Sequence, residues 1–385
     1  MAKGLGAGPV AVADPLGSDR DAACENRAAC SGATRIIALN GLSGEQRRVI
    51  EAFVSAHPQA NVYHLPAWLE VLRDGYGYRP YYVVQGDWQR LDAVLPVVYI
   101  KTWLKGRRWV ALPFSHHVPA LCRSPADLVV LLEFCASLAR RSRARYLELK
   151  AELPARQGRF VARSDYYTTE LDLRPGLERI WSEFNPKRVR WGIKKAQKSA
   201  LDVIWSDDPG GYDAFYHLEV ETRKRQGAPP YARHFFQSLY RRLGVVGKSR
   251  CLIAYYHAYP VAGMILLCHG ETVIYGYGAS LDDRAQLARQ PNHLLLWHAI
   301  QWACTAGYRR FDFGITPLGN RGLLRFKQGW GGATRRISYN YHSGTGNVPG
   351  LSREGRLVAI ATRILHRTPR AALRVLGPML LKQLG

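Results

Sequence analysis

The fold is decided by residues 272–332, which read TVIYGYGASLDDRAQLARQPNHLLLWHAIQWACTAGYRRFDFGITPLGNRGLLRFKQGWGG. Thr272–Gly278 alternates aromatic or β-branched residues with small ones, which predicts a β-strand. Pro291 suits the first turn of a helix, and apolar residues recur at helical spacing through Asn292–Ala306, so a helix follows. Arg310–Gly314 predicts a second strand, after which a loop and a further helix end the stretch. A compact α/β unit that finishes with a lysine beside an aromatic residue is typical of a functional site rather than of a scaffold.

The composition limits the classes of protein and ligand. With 385 residues, of which 47% are hydrophobic, the chain is long enough for two folded cores and too apolar to be disordered. Its formal net charge of +24 predicts attraction to polyanions, namely nucleic acid, anionic lipid or a phosphorylated substrate, without choosing among them. The seven cysteines include no CxxC pair, which argues against a disulfide scaffold or a zinc site, so no metal is expected.

The sequence contains no pattern typical of targeting or of membrane spanning. Its first residues lack a basic stretch followed by a long apolar run, so no signal peptide is predicted. No run of about 18 apolar residues exists, so no transmembrane helix is predicted. We therefore expect a cytoplasmic protein. Residues 1–34 are rich in alanine, glycine, aspartate and serine without periodicity, which predicts a disordered tail.

The two halves of the chain repeat one order of elements. In each half a helix is followed by a β-hairpin, a second helix and a strand. The helix–strand pairs even resemble each other in sequence, with ARYLEL from Ala144 matching YRRFDF from Tyr308. The predicted fold class is therefore mixed α/β, built from two tandem copies of one unit. The copies would span residues 35–165 and 166–346, followed by a basic amphipathic helical tail over residues 347–385.

A basic segment, residues 185–199, lies between the halves. Its start suits a helix, because asparagine caps a helix and proline fits the first turn. Four basic residues then share one face of that helix: Lys187, Arg190, Lys194 and Lys198. No acidic residue interrupts this stripe. It is therefore either a solvated surface helix or a ridge that faces a polyanion.

The C-terminal segment has a second basic pattern. Leucine, isoleucine and valine alternate with arginine at helical spacing over residues 351–384, with breaks at Pro369 and at Gly377–Pro378. Residues 352–385 contain seven lysines or arginines and one glutamate. Such a segment can lie on an anionic membrane surface, here the inner face of the plasma membrane, through residues 351–385. Alternatively, its apolar face packs on the core.

Six motifs together resemble the FemAB-type proteins, which are tandem-domain members of the GNAT acyltransferase superfamily. They are NPKRVRWGIKKA from Asn185, TRKRQGAPPY from Thr222, YGAS from Tyr277, RQPN from Arg289, FDFG from Phe311 and RFKQGWG from Arg325. The resemblance covers roughly residues 40–345 and is stronger in the second half. It extends to the BioF2-like proteins and to the FemAB-related proteins associated with exosortase and exopolysaccharide systems.

The resemblance implies two GNAT-like folds and an acyltransferase. Such an enzyme would transfer an aminoacyl or acyl group to an amine of a cell-envelope or exopolysaccharide precursor. The donor would be aminoacyl-tRNA or acyl-CoA, no cofactor would be bound, and the acceptor would be phosphorylated. The resemblance also implies that Lys327, beside Phe326, stabilises charge that develops at the ester carbonyl. It further implies that Arg225 contacts the phosphates of the acceptor.

Position along the chain adds further candidates. Asp312, at a strand end, is either a general base or an anchor for the following loop. Arg190, Lys194 and Arg289 are candidate substrate-binding residues, and His116–His117 could line a cleft of the first half. In α/β units strand ends and helix starts converge on one rim. We therefore predict that one cleft is lined by Arg225, Tyr231, Tyr277, Asn292, Phe326 and Lys327. The alternative is that the last two are a core residue and a solvated lysine.

Two features depart from the family's pattern. The first-domain lysine that the family carries soon after a tryptophan is missing after Trp68, which argues against a nucleotide-linked peptidoglycan acceptor. The turn at residues 286–292 contains no glycine that could cradle the pyrophosphate of CoA, although the helix start and Arg289 could still bind an anion. A catalytically degenerate protein that binds a phosphorylated glycan or RNA is therefore the alternative function.

Overall fold

The computed structural model describes residues 33–103, 105–154, 160–343 and 362–384. The predicted disordered tail, residues 1–34, lies outside the described residues except for its last two. Of the predicted helical tail, residues 347–385, only 362–384 are described.

The first half alternates strands and helices. Its elements are β1 (Thr34–Ala38), α1 (Gly44–Ala56), α2 (Pro66–Tyr76), β2 (Arg79–Gly86), β3 (Leu91–Thr102), β4 (Gly106–Val110), β5 (Leu121–Cys122), α3 (Pro125–Arg141) and β6 (Tyr146–Leu149). A connecting segment follows, formed by β7 (Val161–Asp172), α4 (Leu177–Glu183) and α5 (Trp191–Gln197). Asn185 caps the turn of π-helix that precedes α5, with its side chain accepting from the backbone N–H groups of Lys187 and Arg188.

The second half has the same organisation. Its elements are β8 (Leu201–Trp205), α6 (Pro209–Gln226), α7 (Arg233–Leu239), β9 (Ser249–Tyr256), β10 (Tyr259–His269), β11 (Thr272–Ser280), α8 (Arg284–Ala288), α9 (Pro291–Thr305) and β12 (Arg310–Pro317). The chain then forms α10 (Arg321–Gln328), β13 (Ala333–His342) and α11 (Arg370–Leu384). Proline occupies the first turn of α9, which fits its missing N–H group.

The sheet confirms the predicted duplication and the mixed α/β fold class. The first half has the strand order β1-β2-β3-β4-β6, and the second half has the corresponding order β8-β9-β10-β11-β12. In both halves the last two strands of the series are parallel, β4 with β6 and β11 with β12. Each parallel pair is joined by a helix, α3 or α9, because parallel neighbours need a crossover connection.

The two halves exchange strands at their junction. β7 follows the first half along the chain but pairs with β12, whereas β13 follows the second half and pairs with β6. β7 and β13 also pair with each other, so one continuous sheet crosses the junction. The domain boundary predicted between residues 165 and 166 falls inside β7, which stays extended because it has a partner strand on each side.

Two apolar cores lie on the sheet. Core 1 combines residues 39–149 of the first half with residues 212–279 of the second, and core 2 lies within residues 171–330. In core 1, Trp68 of α2 packs against Phe235 of α7 with ring centroids 6.2 Å apart. The backbone N–H of Ala232 also donates to the hydroxyl of Tyr76 at 3.0 Å. The halves are therefore joined by shared packing as well as by strands.

The C-terminal helix α11 packs on the second half and reaches the first. Leu373 is fully buried, and a Cβ added at Gly377 would clash with the ring of Pro230, so the helix lies very close to this loop. Tyr78 donates through its hydroxyl to the carbonyl of Lys382 at 3.1 Å. In the described part of the chain, no helix combines the length and the apolar character needed to cross a membrane.

Candidate active site

The site lies where two parallel strands separate. β11 and β12 pair only over Thr272–Ile274 and Arg310–Asp312, and beyond these residues the two strands diverge. α9 starts close to the divergent end, because it connects the carboxyl end of β11 to β12. In open α/β units ligands bind at such carboxyl ends of strands. We call this place the notch.

Asp312 lies at the base of the notch on an irregular part of β12. The pairing of β12 with β7 shifts register between Asp312 and Ile315, and Gly314 has a φ of 69°. The N–H of Gly314 donates to Asp312 Oδ1 at 2.7 Å, and the Thr168 hydroxyl lies 3.5 Å from the same oxygen. Burial nevertheless raises the pKa of Asp312 to about 6. At neutral pH it is therefore a carboxylate with the basicity of a general base.

Lys327 lies above the same irregularity. Its side chain is 3% exposed, and Nζ donates to the carbonyls of Gly314 at 3.1 Å and of Ile315 at 2.9 Å. Burial lowers its pKa to about 8, and the nearby carboxylate of Asp312 acts in the opposite direction. An ammonium group has three N–H donors, and these carbonyls account for two of them. The lysine is thus a buried, mostly protonated cation near Asp312 rather than a solvated side chain.

The first half completes the site with His116 from a loop and Tyr63 from a short 3-10 helix. The imidazole of His116 fills the space beside Gly314, where an added Cβ would lie 2.8 Å from its Cε1 atom. The Tyr63 hydroxyl lies 3.4 Å from His116 Nδ1. Burial, followed by Lys327 and Lys150, lowers the pKa of His116 to about 3, so the imidazole is neutral. The sequence suggested His116–His117 only as lining of a first-half cleft, and nothing in it linked Tyr63 to Asp312.

Asp312 and His116 line a cavity of about 290 Å³. Its polar lining comes from both halves and from the exchanged strands: His116, His117, Thr168, Glu170, Asp312, Thr334 and Arg335. Phe311 and Phe313 both face core 2, so Asp312 between them lies on the opposite side of β12, where it lines this cavity. A small amine-bearing substrate group in the cavity could therefore reach a base.

The six residues predicted to line one cleft lie in four places. Tyr231 and Tyr277 belong to the aromatic packing of core 1, with ring centroids 5.4 Å apart. Arg225 ends α6, and its guanidinium donates to the Leu281 carbonyl at 2.7 Å and to Ser280 Oγ at 2.9 Å. Its contacts fix the end of β11, whereas those of Lys327 fix β12.

The remaining predicted residues lie around the start of α9. Phe326 packs against His293 at 5.3 Å between ring centroids, and Asn292 lies half-buried in the first turn of α9. Arg289 stacks on Tyr256, with Cζ 3.7 Å from the ring centroid, and is close to the carbonyl of Ser199. Of the predicted basic contacts, Arg190 is half-buried and Lys194 is exposed on α5.

A second cavity, about 340 Å³ in volume, lies beside the α9 start. We call it the basic groove, because cations and aromatic rings line it: Lys187, Arg188, Trp191, His293, Arg325 and Phe326. Gln290, which also lines the groove, adopts a φ of 63° just before Pro291. The turn thus reaches a left-handed conformation without a glycine, and Pro291 has no N–H to offer an anion. Lys187 of the predicted basic stripe lines this groove.

Metal binding receives no support from the described residues. Among them, no group of three or more histidines, cysteines, aspartates or glutamates could hold a metal ion.

Comparison with known proteins identifies the fold of this site. Residues 185–328 match the family model described as acetyltransferase (GNAT) domain. FemX has a similar structure, with a TM-score of 0.61, 16% sequence identity and coverage of 81% of this chain and 98% of its own. L-PGS from Bacillus licheniformis matches with a TM-score of 0.52 and 14% identity over 83% of this chain and 97% of its own. No curated protein sequence matches the chain.

A third similar structure is the C-terminal domain of a lysylphosphatidylglycerol synthetase from Agrobacterium fabrum. Its TM-score is 0.51 at 12% identity, and the match covers 83% of this chain and 96% of that domain. At these identities the likeness concerns the fold alone. Together with the domain match, it agrees with the tandem GNAT-like fold that the sequence predicts.

Proposed function

We propose that the protein is an N-acyltransferase of the GNAT type that transfers an aminoacyl or acyl group to an amine. The observation that carries the proposal is the buried Asp312–Lys327 group at the notch of β11 and β12. It lies inside the segment that matches the acetyltransferase family model. Asp312 supplies a base that lines the cavity of about 290 Å³, and Lys327 supplies a buried cation near that base.

The roles of the two side chains follow from their protonation states. The acceptor nitrogen attacks the carbonyl carbon of the donor and forms the new C–N bond. Asp312, ionised above a pKa of about 6, accepts the proton that this nitrogen loses. The ammonium of Lys327 stabilises the negative charge that develops on the carbonyl oxygen. The bond from the carbonyl carbon to the leaving oxygen or sulfur then breaks, and the proton that Asp312 accepted passes to the leaving atom, which restores the carboxylate.

The basic groove favours aminoacyl-tRNA over acyl-CoA as the donor. A groove that combines cations with exposed aromatic rings suits a single-stranded nucleic-acid end, because the rings stack on bases while the cations contact phosphates. Trp191 is 51% exposed beside Arg188 and Arg325. A CoA pyrophosphate would instead need backbone N–H groups at the α9 start, where Pro291 has none and Arg289 is engaged by Tyr256.

The acceptor that we infer is a phosphorylated envelope or exopolysaccharide precursor bearing an amine. The FemAB-type resemblance of the sequence supports this class, and the net charge of +24 would attract such an anion. Because the proposed donor is a cytoplasmic metabolite, we place the reaction in the cytoplasm. The residues of the cavity give no preference for one precursor.

Two observations favour the alternative, a protein of the same fold that binds a phosphorylated glycan or RNA without chemistry. The imidazole of His116 lies against Gly314 in the notch, and two N–H groups of Lys327 are already bonded to carbonyls. If the side chains at the notch had a purely structural role, the basic groove would be the functional part of the protein.

The test of the proposed transfer supplies both candidate donors, aminoacyl-tRNA and acyl-CoA. The full-length protein is incubated with a mixture of charged tRNAs or with acyl-CoAs and with extracted envelope precursors, and products are identified by mass spectrometry. We expect an acylated amine that forms with charged tRNA and is absent with Asp312→Asn. If neither donor gives a product while tRNA or precursor binds tightly, the binding alternative replaces the enzyme.

A further inference from the structure

The C-terminal helix α11 exposes an apolar face. Val375, Leu376, Met379 and Leu380 recur at a spacing that places them on one side of the helix. Their exposed fractions are 65%, 49%, 63% and 41%. The side that faces the protein is formed around Leu373 and Gly377, which are buried. The helix is therefore apolar on two sides, of which one packs on the described part of the chain and the other is exposed there.

Polar contacts at both ends hold this helix in place. Near its start, Arg370 donates to Glu221 Oε2 at 2.9 Å on α6. Near its end, Arg108 of the first half donates to the carbonyl of Gln383 at 3.0 Å, and Tyr78 donates to that of Lys382. The outward apolar face is thus presented on a fixed helix rather than on a detached segment.

Basic residues accompany the face along the chain, and an exposed tryptophan lies in a turn near the end of α11. Residues 362–384 contain no aspartate or glutamate, and their five lysines or arginines are Arg363, Arg367, Arg370, Arg374 and Lys382. Trp103, in the turn between β3 and β4, is 80% exposed. Lys105, two residues later, donates to the carbonyl of Leu384 at 3.3 Å, which places this turn at the end of α11. We call Trp103, the four apolar residues and the five cations the tail surface.

We propose that the tail surface binds the face of a lipid bilayer that contains anionic lipids. An amphipathic helix with cations beside its apolar side can lie in the plane of the headgroups with that side buried at the acyl boundary. Tryptophan prefers this same depth, because its ring is apolar and its N–H is polar. The cations add attraction to anionic headgroups.

Charge argues against a second copy of the chain as the occupant of this face. α11 carries three cations, Arg370, Arg374 and Lys382, and no acidic residue. Arg370 is paired with Glu221 of α6, so a symmetric dimer through α11 would bring Arg374 and Lys382 of one chain toward the same cations of the other. Like charges that face each other across an interface oppose association. Anionic lipid complements the same surface. The inference does not depend on whether the notch is catalytic.

The test uses the full-length protein and two kinds of vesicle. Flotation is measured with phosphatidylcholine vesicles that contain phosphatidylglycerol and with pure phosphatidylcholine vesicles. We expect binding to the mixed vesicles, weaker binding to the neutral ones, and partial loss of binding as salt screens the cations. Absence of binding to the mixed vesicles at low salt would overturn the proposal.

Two matched variants separate insertion from charge attraction. Leu376→Ser with Met379→Ser should lower the partition coefficient on mixed vesicles about tenfold or more, which corresponds to about 1.4 kcal/mol. The control is Val245→Ser with Val246→Ser, because these residues are 61% and 62% exposed before β9. All four residues are exposed, so the unfolding midpoints should stay close to wild type.

The outcomes exclude the competing occupants. If the α11 variant binds mixed vesicles as tightly as the control, the apolar face does not enter the bilayer and the proposal fails. Analytical ultracentrifugation tests whether a second copy of the chain occupies the face. A dimer that only the α11 variant loses, without vesicle binding by the wild type, would assign the face to self-association. A tenfold loss for the α11 variant with an unchanged monomer supports the bilayer.

Discussion

Asp312 is the residue on which the proposed chemistry depends most directly. We predict that Asp312→Asn lowers the transfer rate by about 10²- to 10⁴-fold, the usual contribution of a general base. Burial raises the pKa of Asp312 to about 6. As the pH rises from the ordinary pKa of an aspartate toward 6, the carboxyl ionises more readily in the unfolded chain than in the folded one, which lowers the free energy of unfolding. The neutral amide should therefore leave the free energy of unfolding at pH 7 unchanged or higher. Kinetics and denaturant unfolding measure the two effects.

A matched control for this change is Asp202→Asn, since Asp202 is an exposed aspartate on β8 of the same half. It should alter neither activity nor stability. If Asp312→Asn unfolds more easily and loses activity only in proportion to the unfolded fraction, Asp312 is an anchor for the following loop instead of a base.

The pH profile is a second prediction at this scale. Transfer requires Asp312 ionised and Lys327 protonated, and the pKa values are about 6 and about 8. The profile of kcat/KM should rise through the lower value and fall through the higher one, with apparent values that belong to the coupled pair. Single-turnover rates between pH 5 and 9 would measure it. A flat profile over this range would contradict both roles.

Lys327 also has a structural task that can be measured. In Lys327→Met the carbonyls of Gly314 and Ile315 lose their donor, and each buried unsatisfied acceptor costs about 1–3 kcal/mol. We expect a loss of about 2 kcal/mol or more in the free energy of unfolding, together with loss of transfer. Lys194→Met, at an exposed position of α5, is the control. Unchanged stability in the Met variant would contradict the hydrogen bonds described for Lys327.

At the scale of elements, the turn of π-helix before α5 forms the basic groove together with α5, α9 and α10. Arg188→Gln with Arg325→Gln should weaken binding of charged tRNA about tenfold and reduce the slope of log affinity against log salt by about one for each phosphate that is no longer neutralised. Filter binding at several salt concentrations measures this slope. Arg90→Gln is the control, because Arg90 is 77% exposed in the first half. Normal tRNA affinity with impaired use of acyl-CoA would reassign the groove to CoA.

Local patterns explain which elements could be predicted from the sequence. The central strand, helix and strand were predictable because apolar spacing and Pro291 act within about fifteen residues. α6 was not, because aromatic and polar residues, including the buried Glu219, alternate around it without a clear apolar stripe. β13 pairs with β6, which lies almost two hundred residues earlier along the chain. No local pattern specifies so distant a partner.

Distance along the chain also explains which residues of the site could be predicted. Asp312 and Lys327 could be proposed because both lie in the motif-rich second half, close together along the chain. His116 and Tyr63 come from the other half, so only tertiary packing brings them to the notch. The prediction of one cleft failed to anticipate that Tyr277 faces core 1 while its neighbour Tyr275 faces core 2. Residues two apart share one side of a regular strand, but the pairing of β10 with β11 shifts between Tyr275 and Tyr277 and turns them to opposite sides.

At the scale of the whole molecule, strand exchange and core 1 should make the two halves one cooperative unit. A separate first half, residues 33–154, would lose β13 from the edge of β6 and would expose the face of α2 that packs on α7. We therefore predict that this fragment does not unfold cooperatively, whereas the full chain shows a single transition. Trp68→Ala, which removes a fully buried ring from the first half, should cost about 3–5 kcal/mol.

The loss of stability caused by Trp68→Ala should appear in both halves. Hydrogen exchange in β3 and in β12, followed by mass spectrometry across a denaturant series, should show the same shift in midpoint for Trp68→Ala. The reciprocal control is Phe311→Ala, because Phe311 is fully buried in core 2. This substitution should lower the unfolding midpoint that is measured in β3 as well. Because a shared sheet and a shared core couple the halves, neither can lose its packing alone. Two separate transitions, each responding to only one substitution, would show that the halves are independent domains.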